Sequence, residues 1–369
     1  MEERKLIRLV KPEIPEWKEI EEFYNDIRNT GMISNFSKYC KILEEEIKNI
    51  IGCKYAIAVS SCDIGLILSL SAIKEKRAKV ILPSFTFVST ANSVIWNNLE
   101  PIFCDIDPNT LTICPIEVEK IVKNNNPDDL IIFGVHVFGN PCDVSSIDKI
   151  SKKYNIPVIY DSAHAFGSSY NNKMCGNFGD AEVFSFSCTK VITFGEGGVI
   201  TTNREDVYNK LLYMRNYGFS GSYNAKYIGI NAKLSEINAI TGILNLKKYK
   251  EKVNRRIEIV NLYKKYLSGM DIGFQYIKKY NVCSYKDFTI IAEDKNNLIK
   301  YLSDNNIETR SYFYPIHKME SFKKYNDLYL KNTEDISNRT ISLPVHNFIT
   351  NDDVYEVCDK IKDFSKNRR

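Results

Sequence analysis

The sequence lacks the features that would place the chain in a membrane or outside the cell. None of its apolar stretches approaches the ~18 residues that a membrane-spanning helix needs. The N-terminus, from Met1 to Lys5, has no apolar stretch of the kind found in signal peptides. The ten cysteines include no CxxC pair. We therefore expect a cytoplasmic protein with free thiols and no membrane partner.

An excess of charge of one sign is also missing, and histidine is scarce. Fifty basic residues face forty-six acidic ones, for a formal net charge of +4, and both signs are interspersed. This balance gives no basic patch for nucleic acid, although local charge could still hold an anionic ligand. The histidines are not at metal-ligand spacing, so no metal site is predicted. They are His136, His164, His317 and His346.

No internal repeat, proline-rich linker or low-complexity tract interrupts the 369 residues, a length sufficient for two domains. Apolar runs of strand length alternate with amphipathic segments such as 116–122 and 146–154, which is typical of βα units and a mostly parallel sheet covered by helices. The predicted strands are 55–59, 79–82, 101–104, 130–135, 157–160 and 182–186.

The C-terminal third has a different pattern. From Asn231 to about Leu267 the sequence becomes helical and basic, which is typical of a solvated helix face. A strand-like segment at 284–292 and helical segments at 296–303, 334–339 and 351–364 follow. We predict a large α/β domain over residues 1–248 and a smaller α+β domain over residues 249–369.

One acid and one lysine follow successive apolar strands. Asp161 directly follows the run 157–160, and Lys190 lies just beyond the run 182–186. Chemistry based on pyridoxal phosphate (PLP) requires such a pair, because a lysine amine holds the cofactor aldehyde as a Schiff base while a carboxylate keeps the pyridine nitrogen protonated. Ligands in parallel sheets gather at the carboxyl ends of strands, where Ser60 and Ser61 also lie.

Seven short blocks extend this pattern along nearly the whole chain, in one order and at one spacing. With them the sequence resembles the DegT/StrS-like family of PLP-dependent nucleotide-sugar aminotransferases. The resemblance implies an aspartate-aminotransferase-like α/β fold (fold type I). The blocks are Ala58-Val59-Ser60-Ser61-Cys62, the run from Pro83 to Asn92, Val135-His136-Val137-Phe138-Gly139, Asp161-Ser162-Ala163-His164-Ala165, Gly195-Glu196-Gly197-Gly198, Gly229-Ile230-Asn231 and Tyr314-Pro315-Ile316-His317.

The resemblance also assigns roles around the cofactor ring. Lys190 would bind the cofactor and then move a proton as a base. Asp161 would pair with the pyridine nitrogen, and His164, where many members have Gln, would lie near the phenolic oxygen. Phe87 would stack on the ring.

The cofactor phosphate is expected at a helix N-terminus formed by Ser61, Cys62 and Asp63, with Ser185 contributing a hydroxyl. Here the chain departs from the family, which usually has Thr or Gly-Thr in place of Cys62 and Asp63. Two unit charges ~4 Å apart repel by roughly 4 kcal/mol at an effective dielectric constant near 20, against a gain of about 0.3–1 kcal/mol for an acid at a helix N-terminus. We therefore expect Asp63 to point away from the phosphate and to cap the helix.

Three more residues are assigned by the resemblance alone. Asn231 would reach the cofactor phosphate of a neighbouring subunit, which implies a homodimer with shared active sites. His317, and with it Tyr314, would lie near the sugar nucleotide. Ser187 stands where relatives often have His or Tyr, so its role in substrate placement cannot be carried over.

The expected activity is transfer of the amino group of L-glutamate to a nucleoside-diphosphate-linked keto-sugar. The blocks are most similar to those of enzymes that aminate C4 of a dTDP-4-keto-6-deoxyhexose, whereas enzymes acting at C3 more often have Gln in place of His164. Amination at C3 and a non-catalytic, PLP-binding regulatory paralogue remain alternatives. Sugar 3-dehydrases replace the lysine with histidine, so Lys190 argues against that activity.

Overall fold

The computed structural model describes residues 5–366, and its largest element is a seven-stranded sheet with the strand order β1-β9-β8-β5-β4-β2-β3. All its strands run parallel except β9, which is antiparallel to both of its neighbours. The mostly parallel sheet is thus confirmed. The strands of this sheet are β1 (Tyr55–Val59), β2 (Lys79–Pro83), β3 (Glu100–Cys104), β4 (Leu130–Val135), β5 (Val158–Asp161), β8 (Ala181–Ser185) and β9 (Gly198–Thr202). Two short strands, β6 (Ser169–Tyr170) and β7 (Lys173–Met174), form a separate hairpin.

The central strands are buried at every position, which explains why they read as continuous apolar runs and not as alternating ones. On one face, Val183 and Ile200 pack with Leu66 in a core formed with the helices. On the other face, Ile132 packs with Ile147. Helices therefore cover both faces of the sheet.

Eight α-helices accompany these strands in the part of the chain up to residue 246 that the structure describes. Hydroxyls of Ser61 and Ser235 cap two of them by accepting backbone N–H bonds, and Gly31 and Gly52 end two others in the left-handed region. None of the helices described combines the length and apolar character that a membrane crossing requires. Their bounds are α1 (Trp17–Thr30), α2 (Lys38–Ile51), α3 (Cys62–Ile73), α4 (Val88–Trp96), α5 (Pro115–Lys123), α6 (Val144–Tyr154), α7 (Glu205–Met214) and α8 (Glu236–Leu246).

The remaining elements surround a three-stranded antiparallel sheet, β10-β11-β12, with its own core of residues such as Phe288 and Leu302. Ile7 joins this core and pairs with Ile307, so both ends of the chain contribute to it. The elements are α9 (Tyr249–Tyr266), β10 (Gly273–Phe274), β11 (Phe288–Ile291), α10 (Lys295–Asp304), α11 (Lys331–Arg339), β12 (Thr340–Leu343) and α12 (Asn351–Lys366). The domain boundary at residue 248 stays a prediction, and α9 begins at the next residue.

One expectation about this region is wrong. The basic stretch of α9 is not entirely a solvated face, because Lys252 and Arg256 are buried. Lys252 Nζ donates to Asn245 Oδ1 at 2.7 Å and lies 3.2 Å from Glu13 Oε2. Arg256 Nη1 donates to the carbonyls of Tyr285, Lys286 and Val345. Long basic side chains can bury their aliphatic stems against apolar surface, and the sequence does not distinguish such residues from solvated ones.

Candidate active site

The carboxyl ends of the parallel strands meet at one edge of the sheet, where a cavity of about 370 Å³ opens. Because β9 runs in the opposite direction, its first residue, Gly198, also lies at this edge. Eight of the predicted site residues line the cavity. They are Ser61, Cys62, Asp63, Phe87, Asp161, His164, Ser185 and Lys190.

Lys190 lies in the connection between β8 and β9, which folds back on itself. Phe186 and Phe194 stack with their centroids 4.0 Å apart, and the backbone N–H of Lys190 donates to the carbonyl of Ser187 at 3.0 Å. Within residues 5–366 the amine of Lys190 has no hydrogen-bond partner. Burial, and next the positive charge of Lys286, lower the pKa of Lys190 to about 8. About a tenth of this amine is therefore neutral and nucleophilic at pH 7, far more than for a lysine with its ordinary pKa.

Asp161 is a buried carboxylate with no basic side chain at salt-bridge distance among the described residues. Its Oδ2 accepts from Thr90 Oγ1 at 2.7 Å, and its Oδ1 accepts from the backbone N–H of Ala163 at 3.0 Å. Burial raises the pKa of Asp161, and these two donors only partly oppose that effect. A cationic N–H brought into the cavity would supply the partner that this carboxylate lacks.

His164 is held as a neutral imidazole with a defined tautomer. Its Nδ1 accepts the backbone N–H of Phe138 at 3.1 Å, so Nε2 carries the proton. Burial lowers the pKa of His164 well below its ordinary value, and the charges of Lys190 and Lys286 lower it further. The ring can therefore donate one hydrogen bond into the cavity.

The first turn of α3 forms another part of the cavity wall. Ser61 caps this helix, since its Oγ accepts from the backbone N–H of Ile64 at 3.2 Å. The capping role expected for Asp63 is therefore wrong: Asp63 is the second residue of the helix, and it is exposed. Gly198 packs so closely here that a Cβ atom would lie 2.7 Å from the backbone nitrogen of Cys62. This close approach explains the glycine that begins β9.

Phe87 presents its ring to the cavity, with 56% of the residue exposed. Backbone conformation places it there, because Phe87 is the extended residue that precedes α4. An aromatic residue left this open at a cavity has a free face on which a planar ligand can stack. Ser185, at the end of β8, is nearly buried in the same wall.

Three predicted residues do not line this cavity. His317 is fully buried, with Nδ1 2.7 Å from Ser84 Oγ and Nε2 3.1 Å from Glu334 Oε1. Tyr314 is exposed outside the cavity lining, and so is Asn231. Their predicted roles stay predictions: the structure of one chain places none of the three beside Lys190.

The cavity also has a wall that the sequence did not reveal. Lys286, Arg310, Tyr312 and Phe313, all from the C-terminal third, line it together with Glu196. Phe313 holds this wall against the larger sheet by packing on Phe85 and Phe138. No motif or spacing indicates these residues. One available signal was a charged Lys-Asp pair directly before an apolar strand.

His136, which also lines the cavity, lies near two further potential metal ligands. Ligand atoms of His136, Cys175 and Glu182 are within 4.8 Å of one another, and all three residues are buried. His136 Nδ1 accepts the backbone N–H of Cys142, so Nε2 carries the proton and lies 3.4 Å from Glu182 Oε2. Glu182 also accepts from Ser162 Oγ and from the backbone N–H of Phe178. The Glu182 carboxylate is therefore already surrounded by N–H and O–H groups.

A family model described as the DegT/DnrJ/EryC1/StrS aminotransferase family matches residues 16–362. The chain belongs to this family. GDP-perosamine synthase of Escherichia coli O157:H7 is 31% identical over 350 residues, covering 93% of this chain and 94% of the relative. A dTDP-4-amino-4,6-dideoxy-D-glucose transaminase of Shigella dysenteriae is 32% identical over 371 residues, covering 97% and 99%.

Solved structures agree with this membership. The crystal structure of DesI in the presence of its TDP-sugar product superposes with a TM-score of 0.90 at 26% identity, covering 99% of this chain and 96% of DesI. The fold is therefore the fold type I architecture of these aminotransferases. The protein is a PLP-dependent sugar aminotransferase.

The cavity has the donor set that PLP needs. An unpartnered lysine amine, a buried carboxylate without a cation, a neutral imidazole with one free N–H and a helix N-terminus with a serine cap all face it. These groups match the aldehyde, pyridine nitrogen, phenolic oxygen and phosphate of the cofactor in chemical type. The residues present therefore fit PLP.

Proposed function

We propose that this aminotransferase moves the amino group of L-glutamate to C4 of dTDP-4-keto-6-deoxyglucose, in the synthesis of surface polysaccharides or glycoconjugates. The observation that carries the chemistry is the unpartnered amine of Lys190, which shares one cavity with Asp161 and His164 in the described part of the chain. The named activity of the Shigella relative, a 4-amino sugar transaminase acting on a dTDP-sugar, supports the choice of C4 and of dTDP.

Each residue of the large sheet then has a task. PLP, when bound, supplies an aldehyde that reacts with amines and a ring that withdraws electrons. The amine of Lys190 would hold the cofactor aldehyde and, when free, would act as the base that moves the donor's proton. Asp161 would keep the pyridine nitrogen protonated, and His164 would donate its Nε2 proton to the phenolic oxygen.

The remaining contacts hold the cofactor in place. Phe87 stacks on the ring, while the helix N-terminus at Ser61, Cys62 and Asp63 binds the phosphate with help from Ser185. Because this end of α3 already contains a carboxylate, phosphate binding rests mainly on backbone N–H groups and serine hydroxyls. His317 and Tyr314 are proposed to act near the sugar nucleotide.

The protein is proposed to be a homodimer in which Asn231 completes the partner's site. Asn231 is exposed and does not line the cavity of its own chain. A residue that acts across a subunit interface has both properties. Tyr223 and Ile228, in the loop just before it, are 94% and 92% exposed. Large apolar side chains that are exposed together are typical of a surface that another protein subunit covers.

A mixing experiment tests this shared site. Lys190→Ala and Asn231→Ala subunits are each expected to be inactive or weak as homodimers. In the mixed dimer one site has both lesions and the other has neither, so about half of the wild-type activity per dimer should return. Stable mixed dimers that recover no activity would contradict a role for Asn231 across the interface.

The substrate proposal is tested with a panel of dTDP-, UDP- and GDP-linked keto-sugars, each incubated with L-glutamate and the PLP-loaded protein. Mass spectrometry identifies the aminated product, and NMR locates the new amine at C4 or at C3. A GDP-sugar preference or amination at C3 would replace the proposed substrate. If PLP gives its visible band but no sugar and no amino donor changes it, the regulatory alternative gains support.

A further inference from the structure

A second lysine lines the cavity, and the cofactor roles above do not use it. Lys286 is only 4% exposed, and its Nζ lies 3.0 Å from Asp287 Oδ1 and 5.4 Å from the ring centroid of Tyr312. Asp287 is the one acceptor that residues 5–366 offer this ammonium group. Since an ammonium has three N–H donors, Lys286 keeps donors for a ligand in the cavity.

Stability alone does not explain a buried pair of this kind. Desolvating two charges costs several kcal/mol each in general, and apolar replacements of buried ion pairs are often neutral or stabilising. The pair is also incompletely satisfied, because Asp287 Oδ2 has no hydrogen bond in the described part of the chain. By contrast Lys252, equally buried, contacts both Asn245 and Glu13 and does not line the cavity.

The backbone of Lys286 is fixed in place before any ligand arrives. Its N–H donates to the carbonyl of Phe138 at 3.1 Å, and its carbonyl accepts from the buried Arg256. The N–H of Phe138 in turn holds His164. A side chain on a backbone held this firmly binds a ligand at little cost in conformational entropy.

A second cation stands on the same wall. Arg310 lines the cavity, its Nη1 donates to the hydroxyl of Tyr312 at 3.3 Å, and its backbone pairs with that of Ser342 in β12. The guanidinium is exposed, so it is open to a ligand, and its planar group suits a carboxylate. The C-terminal wall thus offers two cations to one anionic molecule.

We propose that Lys286 binds the α-carboxylate of the amino donor and that Arg310 binds its side-chain carboxylate. The assignment rests on the proposed function only in taking L-glutamate as the donor. An amino acid whose nitrogen reaches Lys190 carries its carboxylate on the same carbon, so that carboxylate must lie deep in the cavity, where Lys286 is. The diphosphate of a sugar nucleotide is separated from C4 by the sugar ring, which makes the deep cation a poor match for it.

The same charge has a second effect. The ammonium of Lys286 contributes to the lowered pKa of Lys190. When a donor carboxylate pairs with Lys286 this repulsion is weakened, so proton uptake by Lys190 becomes easier once the donor is bound. Lys190 is then better able to accept the proton that it has to move.

The direct test is the reaction of the PLP-loaded protein with L-glutamate alone, which is measured as the loss of the protein's visible absorbance band. In Lys286→Met we expect the apparent Kd for L-glutamate to rise about 10- to 100-fold, because a hydrogen bond to a charged group is lost. Lys286→Arg should recover part of this loss. Lys252→Met, which removes an equally buried lysine outside the cavity, should leave the Kd unchanged.

A binding measurement gives a readout that does not depend on turnover. 2-Oxoglutarate has the same two carboxylates but no amine, so it cannot react with the aldehyde form. Calorimetry should show weaker 2-oxoglutarate binding in both Lys286→Met and Arg310→Met. If Lys286→Met fails to fold because Asp287 is left unpaired, Lys286→Met/Asp287→Asn replaces it. Unchanged binding in that double variant and in Arg310→Met would overturn the proposal.

A second set of probes distinguishes a carboxylate from a phosphate. Binding of dTDP, UDP and GDP should be the same in the wild-type and variant proteins. Weaker nucleotide binding with unchanged L-glutamate binding would assign the two cations to the sugar nucleotide and refute the donor assignment. A wild-type protein that binds 2-oxoglutarate through Lys286 but does not react with L-glutamate would instead count against the proposed donor, leaving the carboxylate site intact.

Discussion

The two walls of the cavity differ in how they are built. The wall that presents Ser61, Asp161 and Lys190 consists of strand ends from one parallel sheet, so residues far apart in sequence meet because their strands are neighbours. The wall of Lys286, Arg310 and Tyr312 comes from the segment before β11 and from the segment between α10 and α11. The ring of Phe313 and the backbone N–H of Lys286 hold this wall against Phe138. Cofactor binding is thus proposed for the regular wall, and binding of the amino donor for the irregular one.

Lys190→Ala should have the largest effect, because it removes the cofactor anchor and the proton carrier together. We expect complete loss of turnover with an unchanged fold. Borohydride reduction of the PLP-loaded wild-type protein, followed by peptide mapping, should label Lys190, and the variant should carry no label there. A label on Lys286 instead would reverse the roles assigned to the two walls.

Asp161→Asn should be the next most damaging change. An amide cannot hold the pyridine proton, so the ring withdraws electrons less well, and we expect a loss of roughly 10- to 100-fold or more in kcat. PLP should still bind. Steady-state kinetics and the visible spectrum of the variant test this, with Thr90→Val as a milder change that removes one donor to the carboxylate. Near-native rates would show that Asp161 is structural.

The rate at which PLP couples to the apoprotein should depend on pH through Lys190. The pKa of Lys190 is lowered to about 8 in the folded protein. Below this value the amine is protonated and unreactive, so the rate should rise roughly tenfold per pH unit and level off above it. In Lys286→Met the repelling charge is gone, so the plateau should move to higher pH. Stopped-flow absorbance measures both profiles. A plateau at the same pH in both proteins would show that the charge of Lys286 does not affect the pKa of Lys190.

A smaller effect is expected for Asp63→Thr. Asp63 is exposed at the cavity, so solvent screens its repulsion of the phosphate. We expect PLP affinity to rise by at most about tenfold, and less at high salt. Equilibrium dialysis at two salt concentrations provides the measurement. Weaker binding by the Thr variant would show that the carboxylate helps to hold the cofactor.

His317→Asn should affect kcat least, because His317 does not line the cavity that contains Lys190. Loss of its contacts with Ser84 and Glu334 is expected to lower the free energy of unfolding by about 1–3 kcal/mol, and loss of the contact proposed near the sugar nucleotide is expected to raise the sugar-nucleotide KM. Thermal unfolding and steady-state kinetics separate the possibilities. A large rise in the sugar-nucleotide KM without a loss of stability would support the predicted substrate contact.

The sequence by itself predicted six of the seven strands of the large sheet and one wall of the cavity; β9 was not predicted. The six strands follow from apolar periodicity, and the meeting of Asp161 and Lys190 follows from the rule that parallel strand ends lie at one edge. The roles proposed for these two residues rest also on the family resemblance. The capping residue of α3 was misassigned by two positions, because Ser61 and Asp63 are equally good capping types and only backbone conformation distinguishes them.

Tertiary structure decided the rest. Lys286, Arg310 and Tyr312 reach the cavity because Phe313 and Arg256 hold their segments against distant parts of the chain, and such contacts leave no periodic trace in the sequence. Likewise, only the structure shows that Lys252 and Arg256 are buried, unlike the other basic residues of α9. Periodicity reports which face of a strand or helix is apolar, whereas the partner that covers a charged side chain depends on how the elements pack.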